Sequence, residues 1–355
     1  MIKIRNTRVS SKFHKILLSV ILIIAVIIPQ TGCGDKEPVS KSEFCLDTSC
    51  EITIYDMEDM TDAKANEILV LTYDEIQKYE NLLSKTIEGS DVYRINSESG
   101  DAAEVSDDTI DVISKGLLMG ELSQGAFDIT VGALTDLWDF KSEDPQVPED
   151  AAIKKALETV GFGNVSVKDN KVKLSDTDTK LDLGGVAKGY IADKAGEFME
   201  AEGVTKAIIN LGGNITTIGE KEKGTPWNIG VERPYSDRSE IVGSIKVSDQ
   251  TVVTSGIYER QFVQDGVRYH HVLDPDTGYP AETDLEAVTI VAAKGNSGFC
   301  DALSTSCLIL GKTKALELVE KLQKKYPEMG LEAALIDKND NIVQTDGMNL
   351  QLVNQ

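Results

Sequence analysis

Asp301 and Thr305 stand four residues apart in Cys300-Asp301-Ala302-Leu303-Ser304-Thr305-Ser306. The apolar spacing of Leu303, Cys307 and Leu310 predicts a helix, which puts the carboxylate and the hydroxyl on one face. Hard oxygen donors of this kind suit Mg2+, an ion that completes its shell with substrate phosphate oxygens. The same Asp can instead be an acidic group near a helix start, where the dipole favours it. A second constellation is Asp182-Leu183-Gly184-Gly185-Val186-Ala187-Lys188-Gly189-Tyr190. Two glycines lead into a helix predicted from about Ala187. Free N–H groups at a helix start, with Lys188 among them, make an anion site fit for a diphosphate. The segment is neither a GxxxxGK[ST] loop nor a GxGxxG fingerprint.

Three further clusters carry polar or glycine-rich chemistry. Gly125-Ala126-Phe127-Asp128-Ile129-Thr130-Val131-Gly132 places an aromatic ring beside a carboxylate, a pairing that suits a heterocycle or simply a turn entering a strand. Asn210-Leu211-Gly212-Gly213-Asn214 ends an apolar strand, either as a close backbone approach to a ligand or as a tight turn. His270-His271-Val272-Leu273-Asp274-Pro275-Asp276-Thr277-Gly278-Tyr279-Pro280 offers a general base or a phosphate contact, because imidazole titrates near neutrality. A structural histidine fits the segment equally well. Its Pro-Asp-Thr-Gly stretch is a rigid turn.

These residues need elements to hold them. Residues 50–55 (CEITIY) alternate as a strand, and 62–83 read as an amphipathic helix with Ile68, Leu69, Ile76, Tyr79 and Leu83 near one face. Residues 84–100 read as a polar loop. Ser106 opens a helix to about Leu122, with Asp107 and Asp108 in its first turn. A charged loop at 141–150, a helix at 151–160 and a hairpin at 164–175 follow. The second half is strand-rich: VTKAIINL, WNIGVE, EIVGSIKV, TVVTSG, RQFV, VRYHHVL and EAVTIVAA lie between turn signals, with a hairpin turn at Gln264-Asp265-Gly266. A helix at 312–325 and a hairpin across Asn339-Asp340 close the chain. Helices and strands mix without strict βα alternation, which predicts an α+β fold rather than a doubly wound sheet.

Charge divides the 355 residues unevenly. Five basic residues (Lys3, Arg5, Arg8, Lys12, Lys15) and no acid precede residue 33, and the remainder holds 31 basic against 59 acidic residues. So acidic a body repels phosphate backbones, which argues against a nucleic-acid partner. The apolar run Ile16–Ile28, interrupted only by Ser19, is short for a membrane span but suits an export signal. With Thr31-Gly32-Cys33 behind it, it resembles a bacterial lipoprotein signal, Gln30 standing where Leu is usual. The expected division is a signal at 1–32, a polar tether at 33–43 and one domain at 44–355. Cys33 is then the lipidated residue and the protein is anchored at the extracytoplasmic face of the membrane. Five cysteines make no disulfide scaffold. Cys45 and Cys50 can pair in an exported protein, and Cys300 and Cys307 read as core thiols.

Taken in order, the clusters resemble the ApbE family, the FAD:protein FMN transferases. The marks are Phe44…Asp47-Thr48, GAFDITVGAL followed by Trp138, LDLGGVAKGY, INLGGN, TSG-x-YER, HVLDPDTGYP and DALST, from about Phe44 to Thr345. The resemblance implies mixed and antiparallel sheets with flanking helices and an FAD site in a cleft between two lobes. It implies that FAD is split at its pyrophosphate, with FMN passing to a Thr or Ser hydroxyl of a target protein and AMP leaving. The implied acceptors are subunits of Rnf- or Nqr-type redox pumps or exported FMN-binding domains.

The same resemblance assigns roles. Ala187, Asp301 and Thr305 hold Mg2+. Lys188 and the Gly184-Gly185 amides hold phosphate. Ala126, Phe127 and Asp128 line the FAD site, with Leu46 near the flavin and Tyr190 and Val272 among the flavin-binding residues. His271 activates the acceptor hydroxyl, so His271 and Asp301 form the catalytic pair. Two departures stand out: Cys300 replaces the usual Ala before the Asp, and Thr86 stands where relatives often have Tyr, a place Tyr93 can take. Related activities are metal-dependent FAD hydrolysis to AMP and FMN, and FAD binding by a non-catalytic lipoprotein.

Overall fold

Alternation of apolar and polar residues at the start of the body builds a hairpin from β1 (Val39–Cys45) and β2 (Thr48–Met57). The structure, a computed structural model, describes residues 37–98, 100–236 and 240–353. Next come α1 (Asp62–Leu83), α2 (Asp91–Ser97), β3 (Ala102–Glu104), α3 (Asp107–Leu122), α4 (Gly132–Trp138) and α5 (Asp150–Leu157). They are followed by β4 (Val165–Lys168), β5 (Lys171–Leu174), α6 (Ala187–Ala201), β6 (Val204–Leu211), β7 (Asn214–Ile218), β8 (Trp227–Glu232), β9 (Ile241–Val247) and β10 (Gln250–Gly256). The chain closes with β11 (Gln261–Gln264), β12 (Val267–His270), β13 (Leu285–Ala293), α7 (Ser297–Lys325), β14 (Glu332–Asp337), β15 (Ile342–Gln344) and β16 (Gln351–Leu352).

An antiparallel eight-stranded sheet in the order β1-β2-β6-β7-β10-β13-β14-β15 is the frame. Its strands bury one set of alternate side chains under helices: Ile52 and Ile54 of β2, Ile209 and Leu211 of β6 and Val253 of β10 join Ile68, Leu69 and Ile76 of α1, Ile191 and Ala195 of α6 and Leu303 of α7 in the main core. The opposite face packs a second core with β8 and β9, around Trp227, Ile229 and Ile245. Such two-sided burial is why the strands of the second half read as nearly continuous apolar runs. A third cluster surrounds Trp138, whose indole N–H donates to the Gly278 carbonyl at 2.8 Å and so fixes the Pro-Asp-Thr-Gly turn against α4. The fold is α+β, as expected, and the described residues belong to one compact unit.

Two expectations need correction, and the Cys45–Cys50 pairing that the sequence leaves open is not formed. Residues 39–43, expected as tether, are part of β1. Residues 84–100 contain α2, seven residues capped by Ser90, whose hydroxyl accepts from the Tyr93 amide. A helix of two turns carries too short an apolar stripe to show its period in sequence. Cys45 and Cys50 are free thiols. They lie two register steps apart on the β1–β2 hairpin, Cys45 opposite Thr48 and Cys50 opposite Glu43, and the Cys50 thiol donates to the Cys45 carbonyl at 3.6 Å. Cys33 and the export segment lie outside the described residues. Among the described residues no helix is long and apolar enough to cross a membrane.

The start of α6 lies almost in contact with the start of α7. A Cβ added to Gly189 would fall 2.2 Å from the Ser297 carbonyl oxygen and 2.7 Å from the Gly298 nitrogen. Backbone cannot yield as a flexible side chain can. Gly189→Ala, which in an ordinary helix would gain about 1 kcal/mol, should instead destabilise by about 2 kcal/mol. A urea titration should show a lowered midpoint at unchanged slope.

Candidate active site

The approach of α6 to α7 brings two separate sequence clusters together. Asp301, 2% exposed, sits one turn into α7, and its Oδ2 accepts from the Gly189 amide in the first turn of α6 at 3.0 Å. The amide region expected to bind an anion is therefore joined to the carboxylate expected to bind a cation. Thr305 follows on the same face of α7. A Cβ on Gly185 would lie 3.8 Å from its Oγ1 and 2.9 Å from the Phe127 ring. Gly185, Phe127, Thr305, Asp301 and Gly189 thus surround one locus. Burial raises the pKa of Asp301, opposed by the charge of Lys188 and the Gly189 N–H.

Lys188 is the cation of this locus. It is half-buried and forms no ion pair with any described residue. Its charge reaches Asp301, His271 and Cys50, three groups far apart in the chain. His271 presents a neutral ring. Burial, then the charges of Arg260, Lys188 and His270, push its pKa down to about 3. Its Nδ1 lies 3.3 Å from the Arg260 carbonyl, an acceptor only, so Nδ1 carries the proton and Nε2 keeps its lone pair. The backbone N–H of His271 donates to the same carbonyl at 3.1 Å.

The loop before α6 is held by a network that the sequence does not announce. Asp182 accepts from the Gly184 amide at 2.9 Å and from the Thr135 hydroxyl at 2.7 Å, and pairs with Lys85 at 3.0 Å. Burial pushes its pKa up, but Lys85 and these hydrogen bonds prevail and hold it below the usual carboxylate range. Lys85 also reaches Thr135 and Asp136. From α2, Asn96 clamps the backbone of Leu181 on both sides, at 2.7 and 2.9 Å. The start of α7 is held from α6: Asp193 accepts from the Ser297 and Gly298 amides at 3.0 and 3.1 Å, supplying the cap that Asn296 does not, and burial pushes it up to about 6. Asp182 is visible in its motif. Nothing in the sequence marks Lys85, Asn96 or Asp193, because their partners are distant in the chain.

Several expected site residues have other duties. The Gly184 amide is taken by Asp182, that of Ala187 by the Leu183 carbonyl and that of Gly189 by Asp301, which leaves the amides of Gly185 and Lys188 as the anion-facing backbone among the described residues. Asp128 spends both oxygens inside the chain, accepting from Thr130 N and Oγ1 at 2.7 and 2.6 Å and from the Phe162 amide at 2.7 Å; it shapes the loop. Tyr190 is buried, with its hydroxyl on Asp108 at 2.6 Å and its ring against Tyr79, so it is a core residue facing away from the Gly-rich turn. Val272 is also core, its carbonyl accepting from Ala281.

The other positions lie where a ligand can meet them. Ala187 opens α6. Leu46 caps the β1–β2 turn at φ 53°, its amide bound to Glu80 at 3.0 Å. The next residue, Asp47, is tied to Lys141, and its carbonyl lies 3.5 Å from the Arg260 guanidinium, which leads back to His271. Ala126 lines a cavity of about 460 Å3 with Asp274, Asp276, Leu310, Lys314 and Lys321. Thr86 is exposed, its amide on the Ser84 hydroxyl, while Tyr93 is half-buried in α2.

Known proteins resemble this chain over most of its length. A model of the ApbE family matches residues 46–329. The chain is 31% identical over 346 residues to the FAD:protein FMN transferase of Treponema pallidum, covering 92% of this chain and 93% of the relative. It is 33% identical to a Klebsiella pneumoniae protein of the same name, over 78% of this chain and 84% of that one. Among solved structures, the ApbE protein of Thermotoga maritima gives a TM-score of 0.77 at 33% identity, over 87% of this chain and 97% of that one. The flavin transferase ApbE of Vibrio cholerae gives 0.75 at 25% identity, over 87% and 96%.

Proposed function

The chain belongs to the ApbE family and is a flavin transferase, and from that premise we propose that it moves FMN from FAD to a Thr or Ser hydroxyl of exported or membrane-bound acceptor proteins with the help of Mg2+. The observation that carries the reading is the Asp301–Gly189 contact, which puts a buried carboxylate and the anion-facing start of α6 at one point. The donor set fits the ion. Among the described residues no group of three His, Cys, Asp or Glu could hold a metal. Mg2+ needs no such group, since it commonly takes one or two carboxylates and fills its shell with water and substrate phosphate. Asp301, Thr305 and Ala187 would hold it, and it would neutralise charge developing on the pyrophosphate.

The chain's own residues supply the rest. Lys188 and the backbone at Gly185 face the diphosphate, where oriented donors favour the transition state over the ground state. The acceptor oxygen attacks the FMN phosphorus, and the bond from that phosphorus to the oxygen it shares with AMP breaks. The hydroxyl proton passes to Nε2 of His271, and AMP leaves as its phosphate. Arg260 keeps the imidazole in the tautomer that can take that proton. Acceptors of the Rnf or Nqr type and exported FMN-binding domains fit a protein anchored through Cys33 outside the cytoplasm; the basic head and apolar run before Cys33 support that placement.

The strongly acidic body makes a prediction about the ion. FAD is itself anionic, so its binding depends on local cations working against the overall field. Chelation with EDTA should weaken FAD affinity by about tenfold or more, while monovalent salt should change it far less. Flavin fluorescence titration measures both. Equal affinity with and without EDTA would remove Mg2+ from the binding step.

A further inference from the structure

Asn214 opens β7, held by pairing with Leu211 on β6 and with Val253 on β10. It is 1% exposed, yet neither its Oδ1 nor its Nδ2 has a partner within ordinary hydrogen-bond distance among the described residues. A buried carboxamide left in this state costs stability, and native proteins retain such groups where another role requires them. Its face of the strand packs on α6, since Thr216, two residues on, lies 3.5 Å from a Cβ placed on Gly196. Its cross-strand partner Val253 shares a face of β10 with Ser255, whose hydroxyl meets that of Ser304 on α7 at 2.7 Å, so the carboxamide lies beneath the turn of α7 that carries Asp301. That carboxylate receives one donor within hydrogen-bond distance among the described residues, the Gly189 amide on Oδ2. One donor fixes an oxygen and leaves the carboxylate plane free to turn.

Resting on the reading of Asp301 as a cation ligand, we propose that Asn214 is the positioning residue of that site. Once a cation is held, its Nδ2–H would close on the Asp301 carboxylate and set the carboxylate's plane toward the ion. Its Oδ1 accepts from a water of the cation's hydration shell. Mg2+ keeps several waters, and each water brought into a buried site needs an acceptor. The INLGGN motif thereby acquires a role, because its glycine turn delivers a strand start beneath the α6–α7 junction.

The test uses the full chain and Mn2+ alone, with free Mn2+ followed by electron paramagnetic resonance and thermal melting recorded without metal. Asn214→Leu keeps the shape of the side chain and removes both unpartnered atoms. It should leave the melting temperature unchanged or raised while weakening Mn2+ binding about 10- to 100-fold. Asn214→Ala is read in the same way, should the Leu variant not fold. Wild-type Mn2+ affinity in the folded variant would overturn the proposal. Asp301→Asn is the control. Mn2+ binding as tight as wild type in that protein would overturn the metal assignment itself, a result distinct from failure at Asn214.

Discussion

Asp301→Asn will release AMP from FAD about 1,000-fold more slowly than the wild type, a loss of about 4 kcal/mol of transition-state stabilisation. The substitution keeps the size of the side chain and an oxygen able to accept from the Gly189 amide, so the α6–α7 junction stays closed. What it removes is the negative charge. In the folded protein that charge is already costly, because burial raises the pKa of Asp301. The Asn variant should therefore be at least as stable to urea as the wild type while nearly inactive. Loss of activity accompanied by a large loss of stability would point to a structural Asp. Unchanged AMP release would remove Asp301 from the chemistry. The phosphate contacts proposed for Lys188 and the Gly185 backbone are untouched by the substitution, so FAD binding should fall much less than turnover.

His271→Gln will slow FMN transfer by about 100- to 10,000-fold, the usual worth of a general base. The pH dependence gives a second reading. A folded pKa of about 3 lies below the ordinary histidine value of 6.5, so the ring is neutral throughout the range in which the enzyme works. Nε2 is thus ready to take a proton well below pH 6.5, and kcat/KM of the wild type should show no fall from His271 between pH 5 and 7. The sign for stability follows the same shift. The neutral ring contributes stability that is complete above pH 6.5 and is lost as pH falls toward 3. An acid limb near pH 6.5 that vanishes in the Gln variant would contradict the half-buried, neutral imidazole. Release of AMP to water should suffer less than transfer to a protein hydroxyl, because the role assigned to His271 is toward the acceptor.

Much of this architecture is legible in the chain. Long periodic segments such as 62–83 and the alternating strands of the second half signal themselves through burial, and the turn at Asp265-Gly266 through backbone chemistry. The i,i+4 pair Asp301 and Thr305 is readable because a helix fixes the spacing. Hidden from sequence are long-range partnerships. Lys85 meets Asp182 across 97 positions of chain, and Asn96 meets Leu181 across 85. Tyr190 shows the converse: its place in a site motif suggests a flavin contact, but the helical turn from Lys188 swings it into the core against Asp108. Asp128 likewise belongs to a site loop and serves that loop from within. A motif names the segment that forms a site; the geometry decides which of its side chains face inward.

The sequence predicts a helix at 312–325 apart from the DALST helix, and in the structure both lie in α7. Gly311 breaks it at φ 71°, and the Lys312 amide restarts it on the carboxylate of Asp284 at 2.8 Å. The kink ends the face that carries Asp301 and Thr305 and sends Lys314 and Lys321 toward the cavity beside Ala126. That places two cations beside Ala126, a residue proposed to line the FAD site, in a cavity they share with Asp274, Asp276 and Glu317.

The measurement that bears most directly on the central claim follows AMP and protein-bound flavin in one reaction. The full chain is incubated with FAD, Mg2+ and a candidate acceptor domain. AMP is quantified by chromatography, and the acceptor by intact mass and in-gel flavin fluorescence. The expected result is one AMP for each FMN attached through a phosphoester to a Thr or Ser, both abolished by EDTA and by Asp301→Asn. Stoichiometric AMP and free FMN with every acceptor unmodified would contradict it and make the protein an FAD hydrolase.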